Sequence, residues 1–152
     1  MNTEAIIASL AERFTHLTFL TDETFYWSPK DLSIHYNQHD ATKEASWALL
    51  HEVGHALLEH RKYYSDIELV QMELEAWEKA DMLAGEFAVV IDQDHVEDCL
   101  DSYRDWLYKR SLCPACSLSG VQLTMHSYTC LFCHKQWAVS SDRFCRPYRR
   151  SL

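Results

Sequence analysis

Residues 51–55 read His-Glu-Val-Gly-His, and their types and spacing are suited to holding a metal ion. On a helix, side chains four apart lie one above the other, about 6 Å apart. Both imidazoles can then reach one ion with bonds of about 2.0–2.1 Å. Glu52 falls on an adjoining part of the same face, where it can hold a metal-bound water and take its proton. Zinc lowers the pKa of such a water from about 15.7 to about 7 and polarises a carbonyl. The pattern predicts hydrolysis of a peptide bond by zinc-activated water, with Glu52 as general base that then protonates the leaving amine.

A catalytic zinc takes three protein ligands and keeps one position open. The candidates for the third are His60, Glu68, Glu73, Glu75 and Glu78. His60 lies about 500° of helix rotation beyond His55, which turns it off the His51/His55 face. The Gly-x-x-His spacer of a metzincin is absent. Glu75 and Glu78 share a helix face, one turn apart. Ala76, beside Glu75, is small enough to let two helices approach. Glu73 is two positions from Glu75, points elsewhere and reads as a solvated charge. The expectation is Glu75 as ligand, with Glu78 next or acting as a carboxylate that orients a histidine. Tyr63, Tyr64, His95 and Tyr103 are available as oxyanion donors, and nothing in the sequence selects among them.

The second constellation is Cys113-Pro-Ala-Cys116 and Cys130-Leu-Phe-Cys133. Two Cys-x-x-Cys pairs in a chain that opens without an export signal point to metal rather than disulfides. Four thiolates make a closed tetrahedral site with Zn–S bonds of about 2.3 Å. Residues 121–126 alternate in polarity as a strand does, with 136–139 as the expected partner. The whole reads as a zinc ribbon, with Ser117 where many ribbons have glycine. So short a segment buries little core, and metal binding would supply folding free energy on the order of 10 kcal/mol. Cys99, in the third long helix, reads as an ordinary buried thiol, and Cys145 as a thiol outside the metal site.

These groups need elements to hold them. Apolar spacing predicts a helix over Thr3 to Phe14 and short strands over 17–20, 25–27 and 32–36, the last with Leu32, Ile34 and Tyr36 on one face. Long helices follow from Asp40 or Thr42 to Arg61, from Asp66 to Val89, and from Asp94, where Asp94 and Glu97 have capping-box spacing. The third of these has Val96, Leu100, Tyr103 and Leu107 as its buried stripe. The expected class is α+β: a small antiparallel sheet with three long helices in a zincin-like domain over residues 1–110, then a zinc ribbon with a basic tail over 111–152. Two zinc ions are implied, one catalytic and one structural.

The run from His51 to His60 (His-Glu-Val-Gly-His-Ala-Leu-Leu-Glu-His), with Glu73-Leu-Glu75-Ala76 and Ala80 downstream and the strand-like 33–37 upstream, resembles the ImmA/IrrE-like metallopeptidases. The resemblance covers roughly residues 30–84. It implies a cytosolic, gluzincin-type zinc peptidase that cleaves a protein, often a repressor-type regulator. His51 and His55 match the metal ligands, Glu52 the catalytic glutamate and Glu75 the third ligand. SprT-like peptidases, which act on proteins at DNA, also join an HExxH domain to a terminal zinc-binding segment. They use a third histidine, and none here is well placed.

Charge divides the chain. Residues 1–108 carry 22 of the 23 acidic side chains, while residues 109–152 carry one acidic and seven basic. Such asymmetry marks two segments that either do separate work or attract each other. Arg143, Arg146, Arg149 and Arg150, interleaved with Phe144 and Tyr148, could contact nucleic acid by charge and stacking. A non-catalytic zinc-binding adaptor or nucleic-acid-binding module is therefore the alternative to a peptidase. No apolar run is long enough to span a membrane, and Glu4 and Glu12 interrupt the opening segment, so a cytoplasmic protein acting on a protein or peptide substrate is expected.

Overall fold

The computed structural model describes residues 2–141 and 149–152, and each of its four helices starts at a short polar capping side chain. Asn2 accepts the Ala5 amide at the head of α1 (Thr3–Arg13), which buries Ile6 and Leu10. Thr42 accepts the Ala45 amide to open α2 (Lys43–Leu57). Ser65 accepts the Glu68 amide to open α3 (Asp66–Glu86), and the Glu68 carboxylate reaches back to the Tyr64 amide. Asp92 accepts the Asp94 amide to open α4 (Gln93–Ser111), so the cap lies two residues before the expected Asp94. Each cap satisfies an amide that the helix itself leaves without a partner.

The described residues form an α+β chain of two compact units. One comprises Met1–Arg61 and Met72–Val96, the other Lys62–Gln71 and Glu97–Leu152. The units divide at Arg61, Gln71 and Val96. Among the described residues no helix is long and apolar enough to cross a membrane.

In the first unit, β1 (Thr18–Thr21), β2 (Tyr26–Ser28) and β3 (Ser33–Tyr36) form a sheet of order β1-β3-β2. The sheet is mixed, not antiparallel: β2 runs antiparallel to β3, but β1 runs parallel to it, with Phe19 opposite Ile34. The reason lies in the links. Ser28 and Asp31 hydrogen-bond across a tight reversal that brings β3 back along β2. The Asp22 carboxylate accepts the Glu23 amide and the Tyr26 hydroxyl, turning the chain so that β3 enters between the other two strands. Leu32 sits before the strand at φ 52° and is exposed, so it does not share the buried face of Ile34.

Helix α2 is buried on nearly every side from Ala45 to Ala56, as a central core helix is. Gly54 is required there. A Cβ at that position would stand 2.5 Å from the Ala76 carbonyl oxygen on α3, too close for backbone to yield cheaply. The residues of α3 that face inward in this unit include Glu73, Ala76, Trp77, Ala80, Leu83 and Ala84.

In the second unit, β4 (Val121–Thr124), β5 (Ser127–Thr129), β6 (Gln136–Val139) and β7 (Arg149–Ser151) form an antiparallel sheet in chain order. The stretch 121–126 is thus one strand plus a turn, and β6 pairs with β5 rather than with β4. Leu69, Trp106 and Leu107 form a separate apolar cluster with Tyr63, Val70 and Tyr103. At the end of α4 the Arg110 guanidinium is buried. It donates to Asp66 Oδ1 at 2.6 Å and to the Ser140 carbonyl at 2.9 Å, and lies over the Trp106 ring. Tyr128 and Gln122 also donate to the Asp66 carboxylate. Removing one partner of a buried ion pair strands the other. Arg110→Ala is therefore expected to destabilise the chain by about 3 kcal/mol, the low end for such pairs because Asp66 retains some solvent contact. A urea titration of the two proteins measures it.

Candidate metal centres

His51 and His55 project from consecutive turns of α2, and both rings are buried. Their Nε2 atoms are 3.1 Å apart. The third group that meets them is Glu73 from α3, with Oε2 3.1 Å from His51 Nε2 and Oε1 3.5 Å from His55 Nε2. A tetrahedron with bonds of 2.0–2.1 Å has edges of about 3.3 Å. The three side chains therefore already have the spacing of ligands around one ion, and they could hold one.

The charge of the cluster agrees. Burial raises the Glu73 carboxyl, but hydrogen bonds from His51 and His55 and their charge lower it further, to about 2. Burial lowers His55, yet its hydrogen bond to Glu73 and the charges of Glu73 and Glu52 raise it overall. A carboxylate kept ionised inside a core favours positive charge beside it.

Glu75 is not in this cluster. Its side chain is 40% exposed and its Oε2 lies 3.3 Å from His60 Nε2. Glu78 is exposed, and Glu68 is occupied at the head of α3. The expectation placed the wrong glutamate inward because it took Glu73 for a surface charge. Two residues on a helix differ by about 200°, so if Glu73 faces in, Glu75 faces out. The signal was legible: Leu69, Glu73, Ala76 and Ala80 make one stripe at helical spacing, and it is the buried one.

His60 would turn off the ligand face only if α2 continued to Arg61, and it does not. The helix stops at Leu57, Glu59 takes φ 56°, and the amides of His60 and Glu59 bond the carbonyls of His55 and Ala56. This is a Schellman turn, and it folds His60 back over the preceding turn, where His60 Nδ1 lies 2.9 Å from His55 Nδ1. Burial and the neighbouring His55 charge hold the His60 ring below its ordinary pKa.

Glu52 is half-buried on the same helix, and its Oε2 accepts the Trp27 amide at 2.9 Å. The Trp27 indole donates to the His60 carbonyl at 2.8 Å. His51 Nδ1 has no hydrogen-bond partner among the described residues, and its ring is held by stacking on Trp77 at 4.2 Å. His95 packs edge-on to Trp77 in the same unit. Tyr63 and Tyr103 belong to the apolar cluster of the second unit, and Tyr64 is exposed.

The four cysteines of the second unit also converge, with all four sulfurs within 4.8 Å of one another. Cys113 and Cys133 lie 3.5 Å apart, as do Cys116 and Cys130. That is far beyond a disulfide bond of about 2.05 Å and close to the edge of about 3.8 Å of a tetrahedron with 2.3 Å bonds. The two knuckles are alike. The amides of Ser117 and His134 bond the carbonyls of Cys113 and Cys130, and both residues take φ 61°. The left-handed backbone explains why glycine suits this position; here serine and histidine accept it. Burial raises Cys113, but the Cys116 and Ala115 amides pull it down to about 6, and the amides of Cys133 and Phe132 lower Cys130. Cys116 and Cys133 are lowered by the amides of Leu118 and Lys135 but raised more by burial and the sulfurs opposite. A cation between the sulfurs offsets that repulsion.

No family model, curated protein or solved structure matches this chain. One other arrangement has the connectivity of a hydrolytic triad: Ser33 Oγ and Asp22 Oδ2 each lie 3.0 Å from a ring nitrogen of His35. Ser33 is 1% exposed and Tyr26 stacks on the His35 ring at 4.1 Å, so this serine cannot meet a substrate and the group braces the sheet. Of the basic tail, Arg143, Phe144, Cys145, Arg146 and Tyr148 lie outside the described residues. Arg149 and Arg150 are exposed on β7, and Arg149 donates to the Leu112 carbonyl.

Proposed function

We propose that this chain is a zinc-dependent peptidase of the gluzincin type, similar to the ImmA/IrrE-like enzymes, with a second, structural zinc in its cysteine ribbon. The observation that carries the reading is the convergence of His51 Nε2, His55 Nε2 and the Glu73 carboxylate at tetrahedral spacing beside a helix-borne glutamate. Three protein ligands leave one position of a tetrahedral zinc for water or substrate. Four cysteines leave none, which suits a structural ion.

When bound, zinc supplies a Lewis acid for the scissile carbonyl and water acidic enough to attack at neutral pH. The chain's own residues supply the rest. Glu52 is not among the three converging side chains, and as a carboxylate it can take a proton from the attacking water and return it to the leaving amine. Its hydrogen bond to the Trp27 amide keeps it beside β2, an edge strand of the sheet. The substrate class is a protein or peptide segment, and the resemblance points to a regulatory protein.

The test is to incubate the full-length, zinc-loaded protein with a proteome-derived peptide library and read new termini by mass spectrometry. Cleavage is expected, abolished by a chelator and restored by zinc. A protein that carries two zinc ions and produces no new termini would overturn the peptidase reading.

A further inference from the structure

Resting on the reading of His51, His55 and Glu73 as a zinc centre, we propose that His60 and Glu75 are positioning residues. They form a hydrogen-bonded chain behind His55 that presents its Nε2 lone pair to the ion. A histidine that ligates through Nε2 carries its proton on Nδ1. His55 Nδ1 has His60 Nδ1 as its neighbour at 2.9 Å, and His60 Nε2 has Glu75 Oε2 at 3.3 Å. With His55 Nε2 turned to the ion, one arrangement satisfies both contacts: His55 Nδ1–H donates to His60 Nδ1, and His60 Nε2–H donates to the Glu75 carboxylate. The opposite assignment puts the His55 proton on Nε2, where the ion would sit.

Three further features make this chain a built device. The Schellman turn that ends α2 places the His60 ring, through the bond from the His60 amide to the His55 carbonyl. The His60 carbonyl is itself held by the Trp27 indole. Trp27 thereby touches both sides of the centre, its amide binding the Glu52 carboxylate and its indole fixing His60. The two ligand histidines are also held differently. His51 has no hydrogen bond at Nδ1 among the described residues and leans on Trp77, so the hydrogen-bonded support falls on His55 alone. The glutamate expected to bind the ion thus acts two rings removed from it.

The experiment measures zinc affinity of the full-length protein by competition with a chromophoric chelator, with zinc itself as the probe. Outer partners of ligating histidines are worth about 10–100-fold in affinity. His60→Ala is expected to weaken the first-unit site by that factor while the cysteine site keeps its ion. His60→Asn, whose Oδ1 can stand where Nδ1 stood, is expected to recover most of the loss, which a merely space-filling role would not predict. Glu75→Ala is expected to weaken the site as well, and to add little in the His60→Ala background, since both act through one chain. Glu75 is partly exposed, so its variant tests the proposal even if His60→Ala fails to fold. Affinities of His60→Ala and Glu75→Ala within about twofold of wild type, or a His60→Asn protein as weak as His60→Ala, would overturn the chain's role. A wild-type protein that takes up only one zinc, unchanged in count by His51→Ala, would instead overturn the zinc centre and the chain with it.

Discussion

Glu52→Gln is expected to lower peptide cleavage by about 10²–10⁴-fold, the range for loss of a general acid–base group, while leaving two zinc ions per chain. The separation follows from position. The three side chains that converge at ligand spacing are His51, His55 and Glu73, and Glu52 is not one of them. Its structural bond is the one it accepts from the Trp27 amide, and a glutamine oxygen can accept the same bond. What glutamine cannot do is take up a proton at neutral pH. The loss should therefore fall on kcat, with KM for a given peptide little changed. Kinetics on one peptide identified from the library, together with a metal count on each protein, make the comparison. Wild-type rates in Glu52→Gln would discard the mechanism and leave the metal site standing.

Glu73→Ala should have the largest effect on the metal itself. The carboxylate is buried between two imidazoles, and deleting it removes one of the three converging side chains together with its negative charge. The first-unit site should lose more than about 100-fold in zinc affinity, beyond what an outer partner costs. The protein should then retain one zinc, in the cysteine site, under conditions where the wild type holds two. Glu75→Ala is the control: a weaker site, but two ions when zinc is in excess. The reverse pattern, with Glu75→Ala losing the ion and Glu73→Ala keeping it, would return the ligand role to Glu75.

Much of both centres was legible in the chain because their geometry is local. Two histidines four apart on a helix, or two cysteines three apart on a knuckle, are set by backbone geometry, and no distant contact is needed to bring them together. The apolar stripe of α4 was readable for the same reason, and the start of α2 was narrowed to Asp40 or Thr42, of which the structure uses Thr42. Ser117 stands where many ribbons have glycine, and only the folded structure shows the left-handed backbone that the position demands.

Tertiary structure decided everything that required one element to choose its orientation toward another. The sequence determined that α3 brings glutamates near the histidines. Which one it offers depends on rotation about the helix axis, and close packing between Gly54 and Ala76 sets that rotation so that Glu73 points in. His60 joined the site because α2 ends at Leu57, a choice made by the Glu59 backbone and the Trp27 indole rather than by helical periodicity. The parallel pairing of β1 with β3 and the burial of Arg110 against Asp66 likewise join residues far apart in sequence. Spacing along a chain encodes what lies within a turn or two; the packing of side chains between elements selects among faces that the sequence alone leaves equivalent.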